Sequence, residues 1–117
     1  MMTTFNLSQR NFWPGCQEID VSGELDLAVS DQLREALDRA VAKRLHVLVD
    51  LSACEFIDVS GVQVLVRGHE RLNARDRQLL LYGVSGQVAR MLAVTGLQGV
   101  NHGGVLEAPA PEALAAA

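Results

Sequence analysis

Aromatic residues are scarce in this chain of 117 residues, which has one Trp, one Tyr and three Phe. Single-stranded nucleic acids are bound by stacking bases on exposed aromatic faces, so this scarcity argues against such a partner. Lys and Arg never occur in a run longer than two, and the net charge is −4. A phosphate backbone is therefore not expected as a ligand, and a basic protein surface suits the charge better.

Long apolar runs are missing as well. None reaches the ~20 residues that a transmembrane helix needs, and no charged stretch followed by an apolar run marks a signal peptide at the N-terminus. Cys16 and Cys54 lie in unrelated settings and are expected as reduced, buried thiols of a cytoplasmic protein. The scattered histidines, at positions 46, 69 and 102, suggest neither a metal site nor a cofactor.

The first half of the chain reads as a hairpin followed by a helix. Alternation predicts an edge strand over Thr4–Gln9 and a second strand over Gln17–Val21. Trp13-Pro14-Gly15 predicts the turn between them, and Ser22-Gly23 predicts the end of the second strand. An amphipathic helix is expected over Leu27–Arg44. The side chain of Asp26 or Ser30 could cap it.

The second half alternates strands and helices. Apolar runs predict strands over Leu45–Leu51 and Gln78–Tyr82. Helical periodicity predicts helices over Gly61–Arg75 and Gly86–Val94, the latter capped by Ser85 and ended by Thr95-Gly96. Gly99–His102 could add a last strand. The expected fold is α/β, a single domain with a mixed, mostly parallel sheet and helices packed on one side.

Two stretches divide the chain. Residues 1–107 are expected to form the domain, and residues 108–117 an Ala/Pro-rich tail or a short terminal helix.

The most informative segment is Asp58-Val59-Ser60-Gly61, where a loop after the central strand leads into a helix. Ser60 and Gln63, three residues apart, match a capping box, which gives Ser60 a structural role.

A second role for Ser60 is regulatory. A phosphate at a helix N-terminus would meet backbone donors and the positive end of the helix dipole, so the fold would tolerate it. It would also add nearly two negative charges to the local surface. A partner that docks over this helix end would then meet a changed charge and shape while the fold stays intact.

Three segments together resemble the STAS family, whose best-known single-domain members are bacterial anti-sigma factor antagonists. They are Val21–Asp26, Val47–Ser52 and Phe56–Leu65, and the similarity extends to about Leu97. The resemblance implies a non-enzymatic regulator of transcription that binds an anti-sigma factor, often an ATP-dependent serine kinase, and so frees a sigma factor. It also implies release by phosphorylation at the start of the second helix and resetting by a phosphatase.

The resemblance also assigns residues. The partner-binding surface would contain Glu24, Asp26, Asp58, Val59, Ser60, Gly61 and Gln63. The chain departs from the family pattern at Val59, which stands where the family carries its usual phosphoacceptor and has no hydroxyl. Either Ser60 accepts the phosphate instead, or the phosphate switch is absent. The molecule is expected as a monomer or weak dimer.

Two other functions compete with this one. A STAS accessory subunit of a membrane transport or sensory assembly would share the same sequence features. An enzyme would need Asp26 and Asp58 to act as paired carboxylates. Because no nucleophile with a base and an orienting group accompanies them, structural roles in helix capping and loop ordering are favoured, and no catalytic residue is assigned.

Overall fold

Four strands and three helices account for most of residues 4–94, the part of the chain that the computed structural model describes, with side chains described as far as Ala93. They follow in the order β1 (Asn6–Trp13), β2 (Cys16–Leu25), α1 (Ser30–Ala42), β3 (His46–Ile57), α2 (Val59–Asn73), β4 (Leu79–Tyr82) and α3 (Gly86–Val94). This is the order that the sequence predicts. The expected glycine cap at 95–96, the last strand at 99–102 and the tail at 108–117 lie outside the described residues.

The sheet has the strand order β1-β2-β3-β4. β1 pairs antiparallel with β2 across the predicted turn, while β2, β3 and β4 pair in parallel. One face of the sheet and all three helices contribute to a single aliphatic core, which confirms the predicted mixed sheet with helices on one side. The opposite face carries the polar side chains that alternate with the core residues along β2 and β3.

Three strand ends were wrongly predicted, and β1 is the first of them, because it continues past Gln9 to Trp13. β2 continues through Ser22-Gly23 to Leu25, because the register of its pairing with β3 shifts between Asp20 and Ser22 and again between Gly23 and Glu24. Gly23, which suggested a turn and has φ +84°, lies within an irregular stretch of the strand instead. β3 correspondingly extends to Ile57, since the polar residues predicted as a loop pair with the end of β2.

The helices match the predicted periodicity closely. The inward stripe of α1 (Leu33, Ala36, Leu37, Ala40, Val41) is buried, and the bounds of α3 are those predicted. α1 begins three residues later than expected, and α2 spans 59–73 instead of 61–75. The shift of α2 moves its first residue toward Asp58 and changes which side chain caps it.

Candidate functional site

The junction between β3 and α2 is organised by Asp58. Its backbone is extended, with φ −105° and ψ −176°, and its Oδ1 accepts hydrogen bonds from the backbone N–H of Gly61 at 3.1 Å and the hydroxyl of Ser60 at 2.5 Å. The prediction that Ser60 caps the helix, with Gln63 completing a capping box, is therefore wrong. α2 begins two residues earlier than predicted, so Asp58 occupies the capping position and Ser60 lies in the first turn.

The other carboxylate oxygen of Asp58 reaches a different loop. Oδ2 accepts from the N–H of Leu27 at 3.1 Å, and the N–H of Asp58 donates to the carbonyl of Leu25 at 3.1 Å. Burial by itself would raise the pKa of the Asp58 carboxyl, but the hydrogen bonds from Ser60, Gly61 and Leu27 outweigh it and hold that pKa below its usual value. Asp58 is thus a charged clasp between the β2–α1 loop and α2.

The β2–α1 loop is shaped by Asp26. Its Oδ1 accepts from the N–H of Ala28 at 3.0 Å, and its carbonyl accepts from the N–H groups of Val29 and Ser30. The residue at the capping position of α1 is Val29, which makes no side-chain bond. The expectation that Asp26 or Ser30 caps α1 is wrong, because Asp26 closes a tight turn of its own before the helix starts.

Gly61 belongs to the site through its packing. It is buried, and a Cβ built there would lie 2.8 Å from Cγ1 of Ile57 and 2.9 Å from Cγ of Leu25. Gln87, from α3, holds the same strand end: its amide donates to the carbonyl of Ile57 and accepts from the N–H of Ile57, both at 2.9 Å. The last residue of β3 is therefore fixed from two sides.

The remaining assigned residues lie at the same end of the molecule. Glu24 is half-buried near the end of β2 and pairs in register with Phe56. Ser60 is half-buried, whereas Val59 and Gln63 are exposed. All seven assigned residues therefore surround the carboxyl ends of β2 and β3. In open sheets with parallel strands, that edge commonly carries the binding site.

Two residues of this region were missed by sequence reasoning. Leu27 is 75% exposed, the largest exposed fraction among the large apolar side chains of residues 4–94. Its place directly after the turn aspartate, outside the buried stripe of α1, was a usable signal. Gln87 gave no such signal, because an amide on a helix surface is ordinary.

A groove of about 340 Å³ runs from this end between α1 and α2. Leu27, Ser60 and Gln63 line one part of it, and the remainder is lined by five charged residues together with Ser30, Leu37, Val64 and Gly68. Asp38 in its wall pairs with both Arg34 and Arg71, which ties the two helices together across the groove.

The carboxylates of the opposite sheet face form the one group of three or more potential metal ligands found within residues 4–94. Atoms of Glu18, Asp20 and Asp50 lie within 4.8 Å of one another. Glu18 is buried and already paired with Arg10 at 3.0 Å. Burial, followed by the neighbouring carboxylates of Glu18 and Asp50, raises the pKa of Asp20 to about 7. Protonation of Asp20 and the ion pair between Arg10 and Glu18 both reduce the repulsion among these carboxylates, so we assign no metal here.

Within residues 4–94, His46, His69 and both cysteines serve the fold, and the third histidine, at position 102, lies outside the described residues. Nδ1 of His46 accepts from the N–H of Gln78 at 3.0 Å, and His69 is buried in α2, where burial lowers its pKa. Cys16 and Cys54 are buried free thiols, and burial raises the pKa of each. Within the described part of the chain, no helix has both the length and the apolar character to cross a bilayer.

Comparisons with known proteins agree with this geometry. A family model described as "Mlab, STAS domain" matches residues 8–107. An anti-sigma-B factor antagonist of Listeria monocytogenes is 32% identical over 84 residues, 71% of this chain and 74% of that protein. One of Staphylococcus epidermidis is 33% identical over 86 residues, 73% of this chain and 80% of that protein. The crystal structure of an anti-sigma factor antagonist from Mycobacterium paratuberculosis superposes with a TM-score of 0.75 at 25% identity, covering 97% of this chain and 93% of that one.

Proposed function

Because this chain belongs to the STAS domain family, we propose that it is an anti-sigma factor antagonist. It binds an anti-sigma factor and thereby frees a sigma factor for transcription in the cytoplasm. The observation that carries the proposal is the Asp58 clasp, which holds the β2–α1 loop and the start of α2 as one surface at the edge of the sheet. A surface fixed in this way suits docking of a folded protein, since little ordering is needed on binding.

The relatives support this proposal over a transport or sensory assembly. The curated relatives at 32% and 33% identity and the superposed structure are all named as antagonists. Each also matches most of its own length to this chain, so the likeness extends over the body of the protein.

We further propose that the protein has no catalytic activity of its own. Asp26 and Asp58 are the carboxylates that could serve acid–base chemistry, and both already accept hydrogen bonds from backbone N–H groups. The hydroxyl nearest to them, Ser60, donates to a carboxylate whose pKa is lowered, so Asp58 is a weak base. Such an arrangement stabilises a turn and a helix start but does not activate a nucleophile.

The phosphate switch is a separate proposal. If the partner is of the serine-kinase type, Ser60 is the hydroxyl available in Asp58-Val59-Ser60-Gly61. It is half-buried and donates its proton to Asp58. A phosphate there would face the charged Asp58 at close range. We propose that Ser60 stays unmodified in the folded protein and that binding is not switched at this helix start.

Titration calorimetry tests the main proposal. The purified chain is titrated with each anti-sigma factor of the organism that encodes it, and any binder is then tested for release of its sigma factor by a transcription assay. We expect one anti-sigma factor to bind and to lose its sigma factor. Binding to none of them, together with co-purification with membrane ATPase subunits, would overturn the proposal in favour of the alternative.

The phosphate proposal has its own readout. The bound anti-sigma factor is incubated with the chain and ATP, and the intact mass is measured. We expect no added phosphate in the wild type. A phosphate mapped to Ser60 would contradict the proposal without affecting the assignment as an antagonist.

A further inference from the structure

Four large apolar side chains are exposed in the described part of the chain: Trp13, Leu27, Phe56 and Val59. Leu27 is 75% and Val59 53% exposed, and both flank Asp58. The N–H of Leu27 is bound to the Asp58 carboxylate, and Val59 is the next residue in the chain and the first of α2. Trp13 lies elsewhere, in the β1–β2 hairpin at the opposite end of β2.

An exposed apolar side chain is ordinary when it stands alone. These two lie on either side of the Asp58 clasp, whose carboxylate binds the N–H of Leu27 and, in the helical turn that Val59 begins, the N–H of Gly61. The backbone at both positions is already ordered, so binding a partner costs little further backbone conformational entropy there. Apolar side chains presented in this way resemble the central anchors of protein interfaces, which supply most of the binding energy.

The charge around this pair is negative. Glu24 and Asp26 precede Leu27 in the chain, and Asp58 is held ionised by its hydrogen bonds. Asp31 and Arg34 in the adjoining groove pair with each other at 3.1 Å and together add no net charge. The other arginines of the groove, Arg67 and Arg71, belong to later turns of α2, and Arg71 is paired with Asp38. The apolar pair thus has an acidic rim, which a surface with Lys or Arg around an apolar centre would complement.

We propose that Leu27 and Val59 are the apolar anchors through which the chain holds its anti-sigma factor, and that the anti-sigma factor presents an apolar contact bordered by Lys or Arg. This rests on the proposed function and deepens it. Val59 occupies the place that the family resemblance assigns to a phosphoacceptor. In this chain the same place supplies a permanent contact, so the partner cannot be released by modifying it.

The experiment compares matched variants against the anti-sigma factor that binds the wild type. Leu27→Ser removes one anchor, and Val59→Thr keeps the shape of the other side chain while adding a hydroxyl. Trp13→Ser removes a similarly exposed apolar side chain outside the site and is the control. Circular dichroism and urea unfolding confirm that each variant is folded before the Kd and the dissociation rate are measured by surface plasmon resonance.

We expect each anchor variant to raise the Kd at least about tenfold, mainly through faster dissociation, and Trp13→Ser to change it less than twofold. Glu24→Gln should instead slow association and weaken its dependence on salt. If the wild type binds an anti-sigma factor and both anchor variants bind it equally well, this inference is overturned and the antagonist function stands. Failure of every anti-sigma factor to bind the wild type would remove both. Self-association of the wild type that Leu27→Ser abolishes would assign the pair to a second copy of the chain and overturn the inference.

Discussion

Asp58 and Asp20 are aspartates of the same sheet in opposite circumstances. Asp58, at the edge of the sheet, accepts hydrogen bonds from two backbone N–H groups and a hydroxyl, and its pKa is lowered. Asp20 lies on the face away from the helices, where burial and then the neighbouring carboxylates of Glu18 and Asp50 raise its pKa to about 7. The charge of one stabilises the fold, while the charge of the other opposes it.

The difference separates two kinds of acidic surface. At the edge, donors are aimed at the charge, so a carboxylate can also organise the loops that carry Leu27 and Val59. On the open face, carboxylates mainly face one another, and Arg10 is the cation paired with Glu18. Acidic composition alone therefore does not identify a site; the arrangement of donors around each carboxylate does.

The largest effect should come from filling the space at the edge. Gly61→Ala places a Cβ within 3.0 Å of Ile57 and Leu25, including the Leu25 carbonyl, so we expect a loss of about 2–3 kcal/mol in the free energy of unfolding. Gly68→Ala, in the same helix, is the control. Its Cβ would meet only the side chain of Leu37 closely, and the gain in helix propensity of about 1 kcal/mol offsets this. Equal losses in urea unfolding would contradict the tight packing under the site.

Removing the clasp should have the next largest effect. Asp58→Ala leaves the N–H groups of Gly61 and Leu27 without their acceptor, and we expect a loss of about 2 kcal/mol at pH 7. Asp58→Asn keeps an acceptor and should lose less. Because the folded-state pKa is lowered, the contribution of the charge is present above the unfolded pKa of about 4 and is lost as the pH falls through the folded value. A difference between wild type and Asp58→Asn that does not shrink as the pH falls below 4 would refute this account.

Ser60→Ala should cost about 1 kcal/mol through the lost hydrogen bond to Asp58. This loss of stability should depend on the Asp58 carboxylate, which accepts the bond. In the Asp58→Asn background, the same substitution should cost clearly less, and a double-mutant cycle measures the coupling. If Ser60→Ala costs the same in both backgrounds, the hydroxyl contributes through some other contact.

The smallest effect, and the one of opposite sign, is expected at Asp20. Asp20→Asn removes a crowded charge and should stabilise the protein by up to about 1 kcal/mol above pH 7. Since the folded-state pKa is raised, the wild type matches the variant below the unfolded pKa of about 4 and falls behind it between pH 4 and 7. Asp31→Asn, which breaks an exposed pair with Arg34, is the control and should give no gain. Destabilisation by Asp20→Asn at pH 8 would mean that the two aspartates do not differ as described.

The order of elements could be predicted because the aliphatic patterns repeat cleanly. The inward stripes of α1 and α2 and the apolar runs of β3 and β4 allow one arrangement of layers. The ends of β2 and β3 could not be predicted in the same way. Residues 22–25 and 52–57 mix polar and apolar side chains without clean alternation, and they are strand because each stretch pairs with the other, a partnership that local sequence does not encode.

The site was predictable in place but not in detail. Asp58-Val59-Ser60-Gly61 was found from motif spacing, yet Asp and Ser are equally good caps, and two residues of register decide between them. That register depends on how far β3 runs before α2 begins. The bond from Leu27 to Asp58 joins residues 31 positions apart, so it could be seen only once the loops had been placed in space.

Gln87 supports the end of β3 on the side where the neighbouring strand β4 has already stopped. β4 stops at Tyr82, in register with Asp50, and the amide of Gln87 then pairs with Ile57 as another strand residue would. A single side chain thereby serves as a splint between α3 and the backbone that leads into Asp58. A protein bound at that turn therefore contacts a backbone that is hydrogen-bonded to α3 through Ile57, and to α2 and the loop before α1 through Asp58.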